Sequence, residues 1–175
     1  MKRSKLRTMI FMALCCSLGM AAKKVINPFA NLITDSLHIP GGISTGFSLM
    51  FLVIAAELVW QRGCGTMMGV VQGGLALITG RVGSMGVLMP VGYILPGITI
   101  DLVYRFSQKC TREERMVFAN VAAAVAASLV ANVIVFRLWG AVLCLYLGVS
   151  AMSGLLFGIL GAWIVRRILP VLKHI

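Results

Sequence analysis

The sequence predicts an all-α integral membrane protein: a six-transmembrane-helix bundle in one domain, residues 1–175, with both termini cytoplasmic. Three observations lead there. The chain is 59% hydrophobic and 12% charged, with a mean hydropathy of +0.97, whereas a soluble domain carries about 25% charged residues. Its apolar residues gather into six runs, roughly 8–27, 44–60, 64–80, 86–105, 114–136 and 140–165. Each is long enough for about 30 Å of hydrocarbon at about 1.5 Å per residue. Its basic residues cluster between the runs and are unequally shared by alternate connections. Runs of this length without alternation exclude a barrel, so each becomes a helix that satisfies its own backbone groups.

The first run follows MKRSKLR, a pattern shared by a cleaved leader and a first transmembrane helix; the later runs would anchor the chain either way. Ala13, Ser17 and Ala21 recur every fourth residue, a small-residue stripe that lets another helix approach. Lys23 and Lys24 end the run, and either snorkel to headgroups or turn one ammonium inward. Asn27-Pro28 reads as a helix end, so residues 28–43 are expected to form a polar loop carrying Asn31, Asp35 and His38. The second run carries Glu57. The third repeats the small stripe with Gly65, Gly69 and Gly73. The fourth, containing MPVGYILPG, carries Pro90 and Pro96, which remove backbone hydrogen bonds and favour a kink. It also carries Asp101, four residues before Arg105 and so an expected local pair; Arg62 is the expected neighbour of Glu57. Asn132 lies near the end of the fifth run and needs a partner, from a neighbouring helix or from a ligand. Trp139 and Tyr146 open the sixth, which carries Gly154 and Gly158 with Gly161 nearby.

Orientation follows from counting cations. With the N-terminus inside, the cytoplasmic side holds Lys2, Arg3, Lys5, Arg7, Arg62, Arg105, Lys109, Arg112, Arg115, Arg166, Arg167 and Lys173. The outer side holds only Lys23, Lys24, Arg81 and Arg137. The net charge of +11 is therefore topological and lipid-facing, with no aromatic-basic pattern for nucleic acid. Cys15, Cys16, Cys64, Cys110 and Cys144 show no metal or redox spacing and read as small apolar fillers. Phosphate-binding and nucleophile motifs are missing, so an enzyme is not expected.

On these residues the chain resembles the substrate-binding membrane subunit of an energy-coupling-factor vitamin importer. The resemblance rests on length, six helices, a long first outer loop, the helix-1 stripe and ILPGITIDLVYR at 94–105. The last looks like the family's fourth helix in branches linked to thiamine or its pyrimidine precursor. The resemblance implies a multi-pass protein of a prokaryotic cell membrane that captures a small vitamin at its outer face. It implies docking of Ala13, Ser17 and Ala21 on a transmembrane coupling subunit, with Ser17 standing where the family has Ala. It also implies two cytoplasmic ATPases that use ATP, and no cofactor in this chain. The pocket expected on helices 4–6 comprises Tyr93, Asn132, Trp139 and Tyr146, with Asn31, His38 and Arg81 at the rim and the Gly41-Gly42 loop as lid. LHIPGG is similar to the MHIPDG start of cobalt and nickel importers, but His38 is internal and Gly41 replaces the Asp, so no metal is expected. Two other readings compete: an autonomous proton-coupled transporter using Glu57 and Asp101, and a non-transporting membrane scaffold.

Overall fold

The computed structural model of the chain describes residues 2–37, 43–59, 63–79, 89–135, 137 and 139–172. Six α-helices follow in order: α1 (Lys2–Leu37), α2 (Ile43–Val59), α3 (Cys64–Ile78), α4 (Met89–Phe106), α5 (Arg112–Val130) and α6 (Ala141–Leu172). A five-residue π-helical turn, Ala131–Val135, continues α5. No strand occurs among the described residues.

Three helices are long and apolar enough to cross a membrane, with apolar windows Met9–Ile26, Arg112–Ile134 and Ala141–Leu169. The described helices between them are shorter. Helix α3 has 15 residues, about 22 Å at about 1.5 Å per residue, less than a full hydrocarbon core.

Helix α1 departs most from the sequence expectation. It runs for 36 residues and passes through Pro28 instead of ending at Asn27. Most of the segment expected to be a loop over 28–43 is therefore helical as far as Leu37; His38, Gly41 and Gly42 lie outside the described residues. A proline removes one backbone bond, which a long apolar helix tolerates when its neighbouring turns stay intact.

Local chemistry sets the other ends. Thr111 and Glu114 form a reciprocal cap at the start of α5: Glu114 N donates to Thr111 Oγ1 at 3.4 Å, and Thr111 N donates to Glu114 Oε2 at 3.0 Å. Gly63 precedes α3 with φ of 81°, a left-handed conformation that costs glycine little.

The bundle is built on close backbone approaches. Gly65, Gly69 and Gly73 of α3 face Gly97, Tyr93 and Pro90 of α4, which fixes the pair as antiparallel. A Cβ at Gly69 would stand 2.6 Å from the Tyr93 carbonyl oxygen. Gly154 and Gly158 of α6 pack against Asn120, Val121 and Val117 of α5, also antiparallel, and Gly161 packs against Met50 of α2. The expected small-residue stripes of α3 and α6 are thus internal packing surfaces. The core between them holds Leu52, Met68, Ile100, Met116 and Val165. One end of the bundle gathers the ends of α2, α4 and α6 and the starts of α3 and α5. Arg105, Lys109, Arg112, Arg115, Arg166 and Arg167 all belong to this basic end.

Candidate functional site

Of the residues expected to bind a ligand, Tyr93 has the most informative surroundings. It is partly buried on α4, and Lys23 Nζ of α1 lies 5.2 Å from its ring centroid. That distance suits a cation–π contact. Lys23 is partly buried whereas Lys24 is exposed. Of the two destinations open to this pair, Lys23 therefore turns to a neighbouring helix. The result is an ammonium group over an aromatic face, in the half of the bundle away from the basic end.

Asn132 is buried, and its Nδ2 donates to Ser128 Oγ at 3.0 Å. Its partner is thus on its own helix, one turn earlier, and the π-helical turn carries it. Trp139 is 75% exposed in the connection before α6, and Tyr146 is partly buried on α6. Among the described residues, no hydrogen bond or ring contact links Tyr93, Asn132, Trp139 and Tyr146 to one another. Asn31 lies on α1 with its side chain outside the described set; His38 and Arg81 lie outside it altogether.

The expected coupling stripe has a clear position. Ala13, Ser17 and Ala21 are all exposed on α1, and Ser17 Oγ donates to the Leu14 carbonyl at 2.9 Å within the same helix. Met9, Ile10, Leu14 and Leu18 beside them are exposed as well. The opposite face of α1 makes the internal contacts. Cys16 Sγ lies 3.8 Å from the Met68 carbonyl oxygen, and Gln72 Nε2 donates to the Cys16 carbonyl at 3.4 Å.

The carboxylates Asp101 and Glu57 are both held by other elements of the bundle. Asp101 binds the first turn of α3: Oδ1 accepts from Gly65 N at 2.9 Å, while Oδ2 accepts from Thr66 N at 2.8 Å and Thr66 Oγ1 at 2.6 Å. It caps another helix's unsatisfied amides, where a negative charge also meets the favourable end of the dipole. Glu57, with a side chain 0% exposed, pairs with Arg112 Nε at 3.0 Å and Arg115 Nη2 at 3.1 Å. Tyr104 completes this cluster, with the Arg115 guanidinium carbon 5.4 Å from its ring centroid. Asp101 therefore takes donors at the start of α3 in place of the expected Arg105, because packing supplies amides that spacing along the chain does not show; Arg62, the expected neighbour of Glu57, lies outside the described residues. Arg115, counted from sequence among the cytoplasmic-side cations, is buried.

Sequence reasoning passed over the buried polar file between α5 and its neighbours. Asn120 is 0% exposed, and its Nδ2 donates to the carbonyls of Gly154 at 2.8 Å and Gly46 at 3.4 Å. Ser150 Oγ donates to the Ala124 carbonyl at 2.8 Å. The signal was present: Asn120, Ser128 and Asn132 recur at multiples of four in an alanine-rich helix, and so share one face. At the basic end, a cavity of about 400 Å³ lies between α5 and α6, remote from Tyr93 and Lys23. No cluster of three or more metal-ligating side chains occurs among the described residues.

No protein-family model, curated protein or solved structure matches this chain.

Proposed function

We propose that the chain is the substrate-capture subunit of an energy-coupling-factor type importer. In this reading all six helices span a prokaryotic cell membrane, both termini are cytoplasmic, and the ligand is a small vitamin or vitamin precursor with a ring, such as a thiamine-related pyrimidine. A coupling subunit docks on α1, and two ATPases acting on ATP drive release of the ligand inside.

One observation carries the reading. Three small-residue stripes occur, and the bundle uses two of them internally, on α3 and α6. The third, Ala13–Ser17–Ala21, faces outward and is flanked by exposed large apolar side chains. Small residues permit close helix approach, and among the described residues no helix takes it up. A second membrane subunit would. Lys23 over Tyr93 adds an aromatic-cationic surface suited to a polar ring. Glu57 and Asp101, which an autonomous proton-coupled transporter would use, are held in an ion-pair cluster and a helix cap. That commitment supports the subunit reading over the autonomous one. A pure scaffold would have no use for the Lys23–Tyr93 surface.

Native mass spectrometry of the detergent-purified chain tests capture: a vitamin-sized adduct is expected. Tyr93→Ala should weaken its retention roughly tenfold, as for loss of one ring contact. Ser17→Leu should leave ligand retention unchanged and abolish co-purification with a coexpressed coupling subunit. An absent adduct, together with no thermal shift across a vitamin panel, would remove the capture reading. Unimpaired co-purification of Ser17→Leu would remove the docking surface.

A further inference from the structure

The cavity between α5 and α6 combines charged and apolar side chains. Its rim is charged, with Arg112, Glu113 and Arg166. Its floor is apolar, with Met116, Val165 and Leu169. It also sits at a boundary: the apolar window of α5 begins at Arg112 and that of α6 ends at Leu169. The cavity therefore lies where hydrocarbon meets headgroup. Arg167 stacks its guanidinium 5.5 Å from the Trp163 ring centroid beside it, an aromatic-basic pair typical of that depth.

The accessible charges at the rim are two cations and one carboxylate, with the Glu113 side chain 57% exposed. Glu57 lies fully buried behind Arg112, whose side chain remains 49% exposed and pairs through Nε. Arg166 is 75% exposed, and its Nη1 meets Glu113 Oε1 at a loose 3.5 Å. Two guanidinium groups thus stand at the mouth with one carboxylate between them. Guanidinium groups match phosphate oxygens in geometry as well as charge. Above the floor the same face of α6 continues through Ile159 and Leu155, at helical spacing from Ala162, and both are exposed. An apolar track therefore leads from the cavity along the outside of the helix.

We propose that this cavity is a site for an anionic phospholipid. The phosphate sits between Arg112 and Arg166, the first methylenes lie over Met116, Val165 and Leu169, and the chain continues along Ile159 and Leu155. Basic pockets between transmembrane helices bind acidic lipid headgroups by this combination of charge and apolar contact. A soluble phosphate would use the rim without the track. An acidic peptide has no reason to follow a hydrocarbon-facing helix. The inference stands apart from the transport reading, since neither the ligand nor a coupling subunit enters it.

The test uses the full chain in detergent, titrated with phosphatidylglycerol or phosphatidylcholine of identical acyl chains and read by native mass spectrometry. Phosphatidylglycerol should be retained at least roughly fivefold better, and Arg166→Gln should cost about that factor, the share of one basic side chain. Glu113→Gln should raise retention, because it removes the competing carboxylate; a merely structural role for the pair would not give opposite signs. Leu169→Trp should lower retention by filling the floor. Inorganic phosphate in large excess should not displace the lipid. Equal retention of the two lipids, retention unaffected by Arg166→Gln, or displacement by phosphate would each overturn the proposal.

Discussion

Glu57→Ala is expected to destabilise the bundle by about 3–5 kcal/mol, the cost of leaving a buried charge without its partner. The magnitude rests on the asymmetry of the two ion pairs. Arg112 is half exposed and can turn to solvent when the carboxylate goes; Arg115 has a side chain only 8% exposed and cannot. Its guanidinium would remain against the Tyr104 ring with the Glu57 charge gone. Arg112→Gln should consequently cost much less, within about 1 kcal/mol, as for a solvent-accessible pair. The double replacement Glu57→Met with Arg115→Met should be less destabilising than Glu57→Ala alone, because it removes the charge as well as its partner. Thermal unfolding in a fixed detergent measures all three. Equal midpoints for the wild-type chain and Glu57→Ala would show that the pair does not form. A double variant worse than either single one would show that the charges contribute more than their desolvation removes.

The same cluster shows what could be read from the residues in order and what could not. Helix identity and the existence of the glycine stripes were legible, because both depend on periodicity along one segment. Gly65, Gly69 and Gly73 announce a close approach whatever the partner. The partner of a charge is different. Glu57 and Arg115 are separated by 58 positions, and Asp101 and Thr66 by 35, so spacing along the chain shows neither partner. Asp101 illustrates this well. Its expected mate, Arg105, is exposed, while two backbone amides and a hydroxyl await it at the start of α3. Backbone donors are invisible to an inspection of side chains, since every helix start offers them. Pro28 misled for a related reason. Its local preference to end a helix is real, but α1 continues through it as far as Leu37.

The candidate site was legible only in part. Tyr93 was singled out for depth and aromatic character, and Lys23 was left with two destinations; the structure joins them. Asn132 was left with two kinds of partner, and a third kind, a serine on the same helix, takes it. A polar side chain on an apolar helix signals a hydrogen bond but carries no address. Exposed stripes are more informative once the fold is known. The sequence shows three equivalent patterns, and only the packing reveals that α3 and α6 use theirs internally while α1 keeps its own outward.

That close packing leads to the second large expected effect. Gly97→Ala should destabilise the bundle by about 3 kcal/mol, at the upper end for overpacking by one methyl group. The added Cβ would collide with the carbonyl of Gly65, and a Cβ at Gly65 would stand 2.6 Å from the carbonyl oxygen of Gly97. Both obstacles are backbone, so no rotamer relieves them. The helices can only separate, and separation has a second cost one turn away. Asp101 holds the start of α3 through Gly65 N, Thr66 N and Thr66 Oγ1, and these contacts lengthen as α3 and α4 part. Gly74 and Gly148 provide the contrast, because a Cβ at either meets nothing within 4 Å. Gly74→Ala or Gly148→Ala should leave stability unchanged or raise it by about 0.5–1 kcal/mol, the ordinary helical preference for alanine over glycine. Opposite signs for the same chemical change would place the α3–α4 seam at the glycines. Matching gains at Gly97 and Gly148 would mean that α3 and α4 do not approach as described, and the Asp101 cap would lose its support with them.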